Sequence, residues 1–146
     1  MEEWKKARLK NYSFDYKRGG DSLFIDFHVT VEDDIGTVTA TSEIVESEKD
    51  EAKKAQKKAL VDEKIAQNTI KTMDDLFESI FKKIQQDKIE YDSKPDSYSS
   101  SIFSVKYDSE LHYIKTAHST LNPLENKNMD GNHSYSITVS NFEIQE

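Results

Sequence analysis

The chain has 146 residues, a net charge of −8, a third of its residues charged and no cysteine. That length suits one domain burying its own core without staples, and the missing thiols exclude disulfides, a cysteine nucleophile and Cys-based metal sites. Hydrophobic content is low at 35%, but seven Phe, seven Tyr and one Trp supply the burial that disordered chains lack.

Acids outnumber bases in the first, middle and last thirds alike. Direct nucleic-acid binding is disfavoured, because phosphate contacts want a concentrated basic face. No apolar run approaches the roughly 18 residues that span a bilayer, and Met1–Lys10 is too charged for a signal peptide. The expectation is a cytoplasmic protein with no membrane partner.

In chain order, Trp4–Leu9 reads as a short helix that docks Trp4, and Tyr12, Phe14 and Tyr16 alternate with polar residues as in a strand. Arg18-Gly19-Gly20-Asp21 is turn sequence. Then Leu23, Ile25, Phe27, Val29 and Val31 fall on one strand face, with Phe24, Asp26, His28, Thr30 and Glu32 on the other. The Glu32–Gly36 cluster and the β-branched run Thr37–Val45 complete an antiparallel hairpin.

From Thr37 to Lys94 there is neither Gly nor Pro. Ser47 with Asp50 reads as a variant capping box opening a helical region. Its first part carries only a stripe of Ala52, Ala55, Ala59 and Ala66; its second gathers Ile70, Met73, Phe77, Ile80 and Ile84, widened by Leu76 and Phe81. Asn68, Thr69 and Thr72 are weak helix formers, and Thr72 with Asp75 repeats the start signal, so one long helix is expected, bent or interrupted near Gln67–Thr72. Tyr91–Ser101 is linker-like. Strands follow at Ile102–Tyr107 and Leu111–His118, then a polar loop over Leu121–Asn132. A last strand carries Tyr135, Ile137 and Val139 on one face, and the switched parity of Phe142 and Ile144 predicts a bulge near Asn141.

The expected fold is therefore α+β. An antiparallel sheet combines an N-terminal hairpin with three C-terminal strands, and the long helix, bent or interrupted, packs on one face. The segments are residues 1–46 (N-terminal strands), 47–90 (helical region), 91–101 (linker) and 102–146 (C-terminal strands) of a single domain.

Candidate chemistry is sparse. Asp26 and His28 share a strand face at about 6.5 Å spacing and are the leading candidates for a metal or acid–base pair, with Glu43 or Glu32 within reach if register allows. His112 and His118 are too far apart along one strand for a common metal, Glu110 with His112 is a weaker pair, and His133 is a loop residue. Asn126–Asn132 imitates the start of a calcium loop but offers Ile137 where a bidentate Glu belongs. There is no Gly-x-Ser-x-Gly elbow, and no Gly-rich phosphate cradle before a helix. Lys53, Lys54, Lys57 and Lys58 interleave with acids as on a solvated helix. No cofactor is expected. The composition favours a non-catalytic protein-binding module, in the manner of an adaptor, an inhibitor or immunity protein, or a chaperone, whose partner is another protein or a second copy. The alternatives are an acidic mimic of nucleic acid, using Glu32-Asp33-Asp34 or Asp74-Asp75 with Glu78, and a small-ligand or metal binder on the polar sheet face.

Overall fold

The computed structural model describes residues 2–19, 23–94, 96–124 and 134–145. Six antiparallel strands form one sheet in the order β3-β2-β1-β6-β5-β4, with helices packed on it. The α+β expectation holds.

The hairpin is β2 (Ile25–Glu32) and β3 (Ile35–Ser42), closed by Asp33 and Asp34. Both turn residues have positive φ, 50° and 67°, as a two-residue primed turn requires, and short polar side chains tolerate that backbone. The Asp33 N–H also donates to Asn11 Oδ1 at 2.9 Å. Along β2 every second residue, Ile25, Phe27, Val29 and Val31, is buried. β1 (Tyr12–Arg18) pairs with β2 on one side and β6 (Ser134–Ile144) on the other, so the first and last strands meet at the sheet centre. The β1–β6 register shifts between Ser13–Glu143 and Asp15–Ser140, and Asn141 has φ 53°. That is the predicted bulge, and it returns Phe142 to the core face to stack on Tyr113 at 4.1 Å and Tyr12 at 5.6 Å.

The helical region is more divided than expected. It comprises α2 (Glu43–Ser47), α3 (Glu51–Gln67) and α4 (Met73–Ser93), and Ser47 ends α2 rather than starting a long helix. Side chains that bond locally to backbone set each break. Asp50 accepts from the amides of Ala52 and Lys53, and Thr72 from that of Asp75. At Asn68 the side chain donates to Ile70 O at 2.8 Å and accepts from Tyr16 OH at 2.8 Å, drawing the chain out of the helix. Only α4 covers the sheet broadly, burying Met73, Leu76, Phe77 and Ile80. In α3 only Val61 is buried, and the alanine stripe is exposed.

The linker expected at 91–101 shrinks to 94–97, because α4 runs to Ser93 and β4 spans Tyr98–Tyr107. The next strand, β5 (Ile114–Pro123), starts three residues later than expected. Asp108 holds the preceding turn by accepting from the amides of Leu111 (2.8 Å) and Glu110 (3.1 Å), and His112 takes φ 63°. Those amide contacts keep the Asp108 carboxyl below its ordinary pKa. At the N-terminus α1 (Glu2–Lys6) buries Trp4, whose indole N–H donates to Asp74 Oδ1 at 2.7 Å. The Gly20-Asp21 part of the first turn, the Asn126–Asn132 loop and His133 lie outside the described residues. No helix among the described residues is long and apolar enough to cross a membrane.

Candidate functional site

Strand register assembles a polar cluster on the sheet face away from α4. Asp15 on β1 lies opposite His28 on β2 and Ser140 on β6, and His28 lies opposite Thr39 on β3. The Asp15 carboxylate contacts His28 Nδ1 and accepts from Asn141 Nδ2 at 2.8 Å. His28 Nε2 sits 3.3 Å from Thr30 Oγ1, and Lys17 Nζ sits 3.5 Å from Asp26. Asp15, Lys17, Asp26, His28 and Asn141 border a shallow concavity of about 370 Å³. Asp26 and His28 thus share the expected face, but each engages a neighbouring strand rather than the other. Asp15 and Asn141 were missed. The alternation of Tyr12, Phe14 and Tyr16 does place Asp15 on the polar face; what it lacks is the identity of the strand alongside.

Asp15, His28 and Thr30 follow the carboxylate–imidazole–hydroxyl order of a nucleophilic triad. Two observations weigh against that chemistry. The cluster lies open on the sheet face, with the His28 side chain 50% exposed, so no water-excluded setting strengthens its electrostatics. His118 and Thr120 on β5 repeat the contact at 2.6 Å in a row flanked by Ser104 and Ser136, so a His-x-Thr contact follows from strand spacing alone. Glu32 ends β2 opposite Ile35 and Glu43 opens α2, and neither lines the concavity. Among the described residues no three His, Asp or Glu side chains gather closely enough to hold a metal ion.

The second feature is the outer edge of β4. Its pairing sets Ser101, Phe103 and Val105 opposite Leu121, Ser119 and Ala117, whose burial marks the helix-covered face. α4 is tied over β5, where the buried Asp87 accepts from Ser119 Oγ and from Lys83 Nζ at 2.9 Å. It therefore leaves the edge strand incompletely covered. Phe103 is 61% exposed and Phe81 40%, and they line an open groove of about 560 Å³ with Ile84, Tyr91 and Ser99–Ser101. Tyr107 continues the strip, stacked on Phe77 at 6.1 Å, and burial raises its phenol pKa. On the opposite face Ile102 is 52% exposed.

The other end of the sheet is treated differently. β3 is flanked by α3, and a Cβ at Gly36 would overlap the Lys71 carbonyl, so the α3–α4 connection lies directly against that strand. Natural sheets blunt their edges by such coverage; α4 touches β4, yet Phe103 on that strand stays 61% exposed.

The remaining candidates are dispersed. Glu110 and His112 sit in the β4–β5 turn, and His118 projects from β5. Asp74 is bound to Trp4, and Asp75 accepts from the Lys71 amide at 3.0 Å, so these acids fasten the start of α4. Lys57 pairs with Glu48 at 2.6 Å, while Lys53, Lys54 and Lys58 are exposed. The Met73–Ile84 face is core as expected, with Phe81 the exception. No family model, curated protein or solved structure matches this chain.

Proposed function

We propose that this protein is a non-catalytic protein-binding module whose docking surface is the outer edge of β4 with its adjoining groove. One observation carries the reading: an edge strand bearing half-exposed Ile102 and Phe103 runs beside a groove shared with α4, where Phe81 and Ile84 sit among Lys88, Asp92 and serines. Such an edge offers backbone hydrogen bonds for affinity and side-chain pockets for specificity, the two components of recognition by strand addition. Catalysis has weaker support, since the paired groups of the polar face lie exposed on the sheet. The nucleic-acid-mimic reading is also disfavoured, because Asp74 and Asp75 are occupied in holding α4 and α1.

The test is co-purification of the tagged chain from its host, comparing the native sequence with Phe103→Glu and His28→Ala. A stoichiometric protein retained by His28→Ala and lost with Phe103→Glu supports docking at the edge. Loss with His28→Ala alone would move function to the polar face and overturn the proposal.

A further inference from the structure

We infer that the strand received by β4 is the β4 of a second copy, paired antiparallel about a two-fold axis through Phe103. This rests on the edge-docking reading above and names its occupant. The β4–β5 register shifts at Tyr98–Ser100 and again at Lys106–Tyr107, so the regular run is Ser100–Lys106, and Phe103 is its midpoint. The first shift comes from an extra residue on β4, Ser99, which ends regular pairing on that side; the second comes from an extra residue on β5, Lys115, so at that end the order of side chains sets the register. A two-fold axis normal to the sheet keeps the helix-covered faces of both copies on one side. It then sets Phe103 against the partner's Phe103, Ser101 against the partner's Val105, Ile102 against the partner's Ser104, and Ser100 against the partner's Lys106.

The run is complementary to its own reversal. Each larger apolar side chain other than Phe103 meets a serine, so the strands approach without collision. Charge agrees with this. The protein carries −8 overall, but the only charged residue in β4 is Lys106, which meets a serine. Like charges directly opposite would oppose pairing, and none arise. Phe103 and Phe81 of both copies come together on the helix side, covering the apolar strip that α4 leaves open. An unrelated extended peptide would need neither the central Phe103 nor the small-against-large order. The contact is short, one strand run and one groove, so it belongs with small interfaces, and the expected Kd is on the order of micromolar.

The absence of cysteine makes the register directly testable. Directly opposed strand residues fall within disulfide reach, whereas positions four residues out of register do not. Phe103→Cys should cross-link with itself under mild oxidation. Ser101→Cys and Val105→Cys should each resist cross-linking alone and form a disulfide-linked heterodimer when mixed. Sedimentation of the native chain should show a concentration-dependent dimer, weakened on the order of a hundredfold by Phe103→Glu, which sets two carboxylates on the axis. Circular dichroism establishes that each variant is folded. A native chain that stays monomeric at hundred-micromolar concentration (well above the expected Kd), with no Phe103→Cys cross-link, overturns the homodimer. If that monomer still captures a different protein through Phe103, edge docking survives and self-pairing alone fails. A dimer that persists in Phe103→Glu, or Val105→Cys cross-linking as readily as Phe103→Cys, places the contact elsewhere and also overturns it.

Discussion

Gly36 shows how one missing side chain lets two layers meet. Its backbone does not need the left-handed region; the constraint is steric, because a Cβ would overlap the Lys71 carbonyl. That carbonyl has little room to retreat. The Lys71 amide is held by Asp75, and neighbouring Ile70 is fully buried. Gly36→Ala should therefore cost about 2 to 3 kcal/mol, read as a lowered urea midpoint at unchanged slope. A change within about 0.5 kcal/mol, as for an ordinary surface substitution, would mean the connection is not anchored there. Tyr12 and Tyr16 make a second residue-scale case. Burial pushes both phenols from 10 up to about 12, although each hydroxyl is bonded, Tyr12 to the Met73 amide and Tyr16 to Asn68. The folded state holds protons that the unfolded chain releases near pH 10. Stability from this source is complete below that pH and is lost as pH rises to about 12, by about 1.4 kcal/mol per pH unit per tyrosine inside the window. Urea midpoints measured through this range should fall together with tyrosinate absorbance. Two phenols titrating near 10 in the folded protein would contradict the burial.

At the scale of elements, α3 and α4 differ in what holds them. α4 buries four apolar side chains in its first half and Asp87 later; α3 buries Val61, leans on Ile65, and exposes Leu60 and its alanines. Helices of this length are marginal on propensity alone. Hydrogen exchange should accordingly find α3 amides opening on the order of a hundredfold faster than those on the buried side of α4. Asp50→Ala should widen that gap by about 1 kcal/mol through loss of the cap, with the global urea midpoint nearly unmoved. Equal protection of the two helices would show that something covers α3. Elements set by local chemistry were legible in the sequence. The β2–β3 hairpin follows from strict alternation around an acidic turn, the break at Asn68–Thr72 from residues that bond their own backbone, and the bulge at Asn141 from switched parity. What depends on distant partners was not legible. Nothing local in β1 and β6 says that they are neighbours, so Asp15 could not be joined to His28. Phe81 looked like a core residue because periodicity gives the face of a side chain, and the edge position of β4 that leaves it open is a property of strand order.

Strand order also governs how the molecule should unfold. The N-terminal strands β1–β3 and the C-terminal strands β4–β6 form two meanders joined within the sheet through the β1–β6 pairing, where Tyr12 meets Ile144 across nearly the whole chain. α4 crosses that seam. Its first amide donates to Tyr12 Oη at 3.0 Å, Ser79 lies 3.3 Å from the Tyr135 hydroxyl on β6, and Asp87 is fixed to Ser119 on β5. Neither meander keeps an intact helical cover without the other, so the halves should rise and fall together. Pairing so remote in sequence also makes folding slow for a domain of this size, in the millisecond-to-second range. Ile137 sits at the seam, 1% exposed, between Arg18 on β1 and Ala117 on β5. Ile137→Ala should cost about 3 kcal/mol through lost burial and an unfilled cavity. Trp4, near the opposite end of the seam, reports on α1 and the start of α4 independently of the sheet's far-ultraviolet signal. Both probes should move to the same lower denaturant midpoint in the variant, as cooperative unfolding demands. A Trp4 transition that stays in place while the sheet signal shifts would mean that the two meanders unfold as separate units, with α4 belonging to one of them.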